Sequence, residues 1–179
     1  MRKACFLFIF GMFFLLPCFS QNMLLAGGEY NFFKPEFWSA GAGFNMKLFN
    51  DYMQNDFMIN GGRIRAKEPE TGDYHQKFLF SLRDSLYFSL EGEWVGLRMG
   101  VFASFGVYDI VDFPKVYDLF LNGGGFAGVS ILPKSMISVT VDICPGYASA
   151  FRYDEKAAKN EAGFSLSVFL SLRLNIDKL

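Results

Sequence analysis

The sequence has few cysteines, and their positions exclude a disulfide-stabilised scaffold. Three cysteines are present among 179 residues. Cys5 and Cys18 both fall in an N-terminal segment with the pattern of a secretory signal peptide. Removal of that segment leaves Cys144 as the only thiol. A single cysteine cannot form an intramolecular disulfide, even in an oxidising compartment.

Excess positive charge and clustered metal ligands are also lacking. The 17 Lys and Arg residues oppose 18 Asp and Glu, with a net charge of −1. Because no basic stripe is present, we expect no nucleic-acid partner. His75 is the only histidine and lies far from Cys144 in the sequence, so we expect no metal site and no cofactor. The glycines 123–125 lack the Lys-Ser/Thr of a phosphate-binding loop and predict close packing or a bulge in a strand.

Beyond the first twenty residues, the sequence has no apolar run of about 18 residues, as a transmembrane helix requires. The N-terminus itself has basic Arg2 and Lys3, an apolar stretch over 4–16, and Pro17. This pattern predicts a signal peptide over 1–20, cleaved near Ser20-Gln21, and a mature domain over 21–179. Acylation of Cys18 is an alternative, although Pro17 stands where lipoprotein signals have Gly, Ala or Ser.

Near the C-terminus, residues 164–176 alternate between apolar and polar side chains, with Phe169 as the only exception on the polar phase. Period-two alternation predicts a β-strand with one apolar and one polar face. Globular strands average about 5–6 residues, whereas a tilted transmembrane strand needs roughly 9–11. The length of this segment is therefore typical of a membrane barrel.

Similar alternation upstream predicts an all-β chain of eight antiparallel strands. A bulge is expected at Gly61-Gly62, where the phase changes. Near Arg83-Asp84, where a charge falls on the apolar phase, we expect either a second bulge or a strand that extends well beyond the membrane. The predicted strands cover 24–33, 38–48, 54–65, 77–90, 95–107, 117–131, 137–144 and 163–176. We expect the last strand to pair with both its predecessor and the first strand and so to close the barrel.

The predicted connections differ in length at the two ends of the barrel. Three long connections cover 66–76, 108–115 and 149–162, and short turns separate the other strand pairs. Long loops on one rim and short turns on the other are typical of bacterial outer-membrane barrels, with the long loops outside. We therefore expect a host or extracellular ligand to bind through the long loops.

The composition of the two phases distinguishes a membrane barrel from a soluble lipocalin-like barrel or a β-sandwich. A water-facing surface is usually rich in Lys and Glu, but here the polar phase is mostly Gly, Ser, Asn and Thr. Small polar side chains suit a narrow lumen, and the bulky apolar phase suits lipid. Aromatic residues near strand ends predict interfacial girdles: Trp38, Tyr52, Trp94, Tyr108, Phe151 and Tyr153.

These features together resemble the small eight-stranded outer-membrane barrels of the OmpA/OmpX/OmpW type. The resemblance covers the mature chain as an architecture and implies an up-and-down transmembrane barrel. It also implies outer-membrane lipids and the barrel-insertion machinery as partners. Members usually end on an aromatic residue that this machinery recognises, whereas this chain ends in 175–179, Asn-Ile-Asp-Lys-Leu.

The sequence predicts no catalytic residues. His75 could serve as a base for a serine, but no serine lies close to it in the sequence. We therefore expect a non-enzymatic barrel that serves membrane structure, adhesion or transit of a small apolar ligand. A lipid-modifying enzyme is the alternative.

Charges on the inward phase predict a salt-bridged plug in the lumen. Arg98, Asp118, Asp142 and Arg173 lie on four strands that are consecutive in the sequence. Because buried charges persist only when paired, we expect Arg98 to pair first with Asp118 and second with Asp142. The lumen of an eight-stranded barrel is just wide enough for side chains to fill it.

Overall fold

Eight antiparallel strands form a closed barrel in chain order. A computed structural model describes residues 21–48, 52–67, 73–112, 116–153 and 159–178, so the expected signal peptide over 1–20 lies outside the described residues. A short 3₁₀ turn, Ile176–Lys178, follows the last strand. The strands are β1 Gln21–Asn31, β2 Glu36–Leu48, β3 Met53–Lys67, β4 Tyr74–Glu91, β5 Val95–Asp112, β6 Val116–Ile131, β7 Ile137–Tyr153 and β8 Lys159–Asn175.

The first strand closes the barrel. β1 pairs with β2 along almost its whole length and with β8 on its other edge, where Leu25 lies opposite Arg173. The expectation that the last strand pairs with both its predecessor and the first strand is confirmed. Closure leaves no sheet edge with unpaired backbone groups, which is the condition for a sheet in hydrocarbon.

Side chains alternate as the sequence predicts, with the apolar phase outside. On β8, Ser165, Ser167 and Ser171 are buried in the barrel, while Leu170 and Leu172 are more than half exposed. The apolar phase of β5 is likewise exposed, at Val95, Leu97, Met99, Val101 and Phe105. A lipocalin-like barrel would bury this same set, so the soluble alternative is wrong in its side-chain orientation.

The two expected bulges are absent from the described residues of β3 and β4. The register between these strands runs unbroken from Met53 opposite Phe88 to Lys67 opposite Tyr74. Ile64 is therefore inward and fully buried. Asp84 faces outward, where its carboxylate accepts a hydrogen bond from Asn55 Nδ2 at 2.5 Å. This hydrogen bond partly satisfies the Asp84 carboxylate at an outward position. A bulge that would turn the side chain inward is therefore not needed.

The connections at the two ends of the barrel are similar in length, which corrects the expected asymmetry. The strands extend into each predicted loop and leave 68–73, 113–115 and 154–158 between them. The end of the barrel with these three connections and with 32–35 is called the loop end. The turn end is the opposite end, with 49–52, 92–94 and 132–136.

Aromatic side chains are exposed near both ends of the barrel. Tyr52 and Trp94 lie at the turn end, and Trp38 lies at the loop end. Tyr108, expected in a girdle, is instead inward and buried, because its even number places it opposite in phase to Phe105 and Val107 on β5. The side chain of Tyr153 lies outside the described residues.

Inward-facing glycines allow close approach of neighbouring strands in this narrow barrel. A Cβ added to Gly124 would lie 2.2 Å from the carbonyl oxygen of Pro145 and 2.5 Å from Gly146 Cα. An outward glycine behaves differently, since a Cβ at Gly61 would meet only the ring of Phe78, at 3.6 Å. The glycines 123–125 therefore reflect close packing, and the β6 register continues through them without a bulge.

These two glycines give a matched test of the packing. We expect Gly124→Ala to destabilise the barrel by about 1–3 kcal/mol, because the added methyl group meets backbone atoms that cannot move independently. We expect Gly61→Ala to leave the free energy of unfolding nearly unchanged. Reversible denaturant unfolding from detergent measures both, and equal stability of the two variants would contradict the close approach of β6 and β7.

Candidate functional site

The lumen contains a buried set of charged side chains on six strands. Strand alternation turns each of them inward, and all are at most 5% exposed. They are Glu29 on β1, Asp56 on β3, Arg83 on β4, Arg98 on β5, Asp142 on β7 and Arg173 on β8. Charges buried in this way are stable only if they neutralise one another and keep their hydrogen bonds.

Four of these residues, Asp56, Arg98, Asp142 and Arg173, form one aspartate–arginine cluster. Asp56 Oδ2 accepts from Arg98 Nη2 at 2.8 Å and also from Arg173 Nη2. Arg98 Nη1 in turn donates to Asp142 Oδ2 at 3.1 Å. Two guanidinium groups and two carboxylates therefore balance in charge within one contact network.

Neutral polar groups complete the hydrogen bonds of Asp56. The Tyr87 hydroxyl donates a hydrogen bond to Asp56 Oδ1 at 3.0 Å. The same hydroxyl accepts a hydrogen bond from Arg173 Nη1 at 2.7 Å. Asn45 Nδ2 donates to the same Asp56 oxygen at 2.8 Å. The guanidinium of Arg98 also lies 4.1 Å from the ring centroid of Tyr87, a cation–π distance. Asp56 is thus the centre of the cluster.

A second buried ion pair joins Arg83 and Glu29, with 2.5 Å between Nη1 and Oε2. The Arg83 guanidinium lies between the rings of Phe102 and Phe169, at 4.3 and 4.6 Å from their centroids. Cys144 Sγ lies 3.4 Å from Arg83 Nη2. The apolar exception on the polar phase of β8, Phe169, is therefore an inward ring that packs against a buried cation.

Asp118 does not pair with Arg98, contrary to the first expectation. Its Oδ2 lies 3.8 Å from Lys77 Nζ, near the loop end. The register explains the separation: Asp118 lies opposite Tyr108, ten residues along β5 from Arg98, or about 33 Å at the usual rise of a strand. The structure brings together Arg98, Asp142 and Arg173 of the expected network and places Asp118 elsewhere.

Sequence reasoning missed Asp56, Arg83 and Glu29. The phase change expected at Gly61-Gly62 obscured the inward phase of β3, and the bulge expected at Arg83-Asp84 obscured that of β4. Unbroken alternation through both segments would have identified Asp56 and Arg83 as inward charges. Glu29 was visible on the polar phase of the first strand, although no signal in the sequence indicates its partner.

An apolar layer closes the lumen at the loop end. Its side chains come from β2 to β7 and include an edge-to-face pair, Phe37 and Phe120, with ring centroids 4.7 Å apart. The layer consists of Phe37, Ile64, Leu79, Tyr108, Phe120, Ala148 and Ala150. This layer lies on the loop-end side of the buried charged side chains in the described lumen.

No cluster of three or more metal-ligating side chains occurs among the described residues. His75, expected in a loop, is instead near the start of β4, opposite Ala66, and its side chain is exposed. Cys144 is fully buried. Among the described residues, none of the helical segments has the length and hydropathy of a membrane span.

Comparison with known proteins supports the fold. No family model matches the sequence, and no curated protein matches it. Neisserial surface protein A is similar in structure, with a TM-score of 0.50 and 13% identity over 87% of this chain and 96% of that one. A major outer membrane protein from Thermus thermophilus gives a TM-score of 0.44 and 10% identity over 88% and 100% of the two chains. The likeness to Neisserial surface protein A agrees with the closed antiparallel barrel described above.

Removal of the central carboxylate tests the aspartate–arginine cluster. We expect Asp56→Asn to destabilise the barrel by about 3–5 kcal/mol, because two buried guanidinium groups lose their shared counter-ion. Asp84→Asn is the matched control, since that carboxylate faces outward. Denaturant unfolding in detergent measures both. Equal, small effects of the two substitutions would contradict a central role for Asp56.

A double variant separates charge pairing from packing. We expect Arg98→Met to leave Asp142 without its cation and to destabilise the barrel strongly. Addition of Asp142→Leu should recover much of that loss, because replacement of both partners by apolar groups removes the uncompensated charge. A double-mutant cycle of unfolding free energies measures the coupling, and a coupling near zero would refute the ion pair.

Proposed function

We propose that this protein is a non-enzymatic outer-membrane barrel with a plugged lumen and a loop end that faces the cell exterior. The observation that carries the proposal is the distribution of polarity, with paired charges inside and bulky apolar side chains outside. Its roles would be membrane structure, adhesion through the loop end, or transit of a small apolar ligand along the barrel.

The outward surface supports residence in lipid. Exposed side chains such as Phe80, Met99 and Leu170 continue around the barrel. Monomeric soluble proteins rarely expose contiguous apolar patches beyond about 300–600 Å². A closed barrel satisfies its backbone hydrogen bonds internally and can expose such a surface to acyl chains at no polar cost.

The packed lumen supports a structural rather than a conducting role. The aspartate–arginine cluster and the Arg83–Glu29 pair occupy the interior, and the apolar layer covers them at the loop end. Ions crossing this path would have to displace an apolar layer and break buried salt bridges. Such a barrel is stable in the membrane without serving as an open pore.

The predicted N-terminal signal and the even strand count support export, with both termini in the periplasm. The barrel-insertion machinery would then place the chain in the outer membrane. The loop end would face the exterior and present the surface available to an extracellular partner.

Cell fractionation and gel mobility test the proposal. We expect the protein in the outer-membrane fraction and a shift in electrophoretic mobility on boiling, because a detergent-resistant barrel migrates faster than its unfolded chain. Purified protein in planar bilayers should show no stable conductance step. Recovery in the soluble periplasmic fraction without a mobility shift would refute the membrane barrel, and a steady ion conductance would refute the plug.

A further inference from the structure

Three cations lie at the loop end on the β2–β4 side of the barrel. Arg63 and Arg65 share the outward phase of β3 with Gly61, and Lys34 belongs to the connection between β1 and β2. All three side chains are exposed. Below, they are called the rim cations.

Arg63 lies between two outward aromatic residues. Trp38 is its partner on β2 and Phe78 is its partner on β4, and both rings are exposed. Within the described part of the chain, the guanidinium donates to Gln76 Oε1 at 3.3 Å and to no carboxylate. A cation at the level of exposed aromatic side chains is in the position of the lipid headgroups.

Lys34 and Arg65 approach the ring of Tyr74. Lys34 Nζ is 4.4 Å from the ring centroid, and Arg65 Cζ is 5.6 Å from it. With Glu36 they line a pocket of about 130 Å³. Glu36 Oε2 is 3.6 Å from Arg65 Nη1. Glu36 also accepts a hydrogen bond from the Tyr30 hydroxyl. Its carboxylate therefore interacts with both Tyr30 and Arg65.

A second carboxylate, that of Glu161, contacts this group within the described residues. Glu161 accepts a hydrogen bond from the Tyr74 hydroxyl at 3.1 Å, so Glu36 and Glu161 together oppose the rim cations. Neither Lys34 nor Arg63 forms an ion pair within the described residues, so both cations keep N–H donors for an anionic group.

The outward surface directly below the rim cations has a row of small side chains, called the recess below, which the Phe78 ring approaches at Gly61. The row next to Trp38 and Arg63 has three small residues opposite one another, Gly28, Ala40 and Gly61. Larger side chains border this row on both sides, Leu170 on β8 and Phe80 on β4. The recess is apolar and adjoins the cations from the lipid side.

We propose that the rim cations bind the phosphate group of an anionic outer-leaflet lipid, one acyl chain of which lies in the recess below. The proposal rests on the outer-membrane location proposed above. Arginine donates to phosphate in a bidentate manner, and only a molecule that is anionic at one end and apolar at the other fits both parts. A free anion would leave the recess unused.

Native mass spectrometry of the folded protein in detergent micelles tests the site with three probes. They are phosphatidic acid, diacylglycerol with the same acyl chains, and inorganic phosphate. We expect wild type to retain phosphatidic acid in preference to both others. We expect Arg63→Gln/Arg65→Gln to weaken this binding by about tenfold or more, because the two substitutions remove charge-assisted hydrogen bonds to the phosphate.

Two further variants separate the parts of the site. Lys134→Gln removes a cation from the opposite end of the barrel and should leave phosphatidic acid binding unchanged. Gly61→Leu fills the recess and should weaken the binding of phosphatidic acid while leaving inorganic phosphate unaffected. Heat-modifiable mobility checks that each variant is folded before its lipid binding is measured.

The outcomes distinguish the lipid site from the membrane location. A wild-type barrel that inserts and shifts on boiling, but binds phosphatidic acid no better than diacylglycerol, would overturn the lipid site alone. Equal binding of inorganic phosphate and phosphatidic acid would overturn the lipid as the occupant. Failure of the wild-type protein to insert into membranes would overturn the proposed function itself.

Discussion

The shared carboxylate of Asp56 is the interaction on which the interior depends. Two guanidinium groups, Arg98 from β5 and Arg173 from β8, meet on one oxygen of this residue, and Tyr87 and Asn45 bind the other. A narrow lumen cannot hydrate each charge separately, so neutralisation has to come from within the barrel. The strands that supply these groups lie around the whole circumference, so this one carboxylate links distant parts of the sheet.

Alternation in the sequence was sufficient for the fold because a period of two assigns every residue to one of two faces. It predicted the eight strands, the closure through β1 and the outward direction of residues such as Leu97 and Leu170. The alternation was less informative about where the strands end. Beyond the level of the membrane, strand residues can be polar on both faces, so the alternation disappears although the strand continues. The predicted loops 108–115 and 149–162 were therefore too long.

The contacts in the lumen could be predicted only in part. The alternation phase tells whether a side chain points inward or outward, but it does not give the position of that side chain along the barrel axis. Arg98 and Asp118 both point inward, yet one follows a turn at one end and the other follows a loop at the opposite end. Their positions relative to the turns were available in the sequence and would have separated them. The contacts of Glu29 with Arg83 across the lumen depend on strand tilt and stagger, which the sequence pattern does not specify.

The spread of the aspartate–arginine cluster along the chain has a kinetic consequence. Asp56 on β3 and Arg173 on β8 are separated by 117 residues. Their side chains can meet in the lumen only when the sheet has closed into a barrel. Contacts of such long sequence separation form slowly, since most of the chain must be ordered first. The complete cluster can therefore form only after β8, the strand that carries Arg173, has taken its place in the sheet.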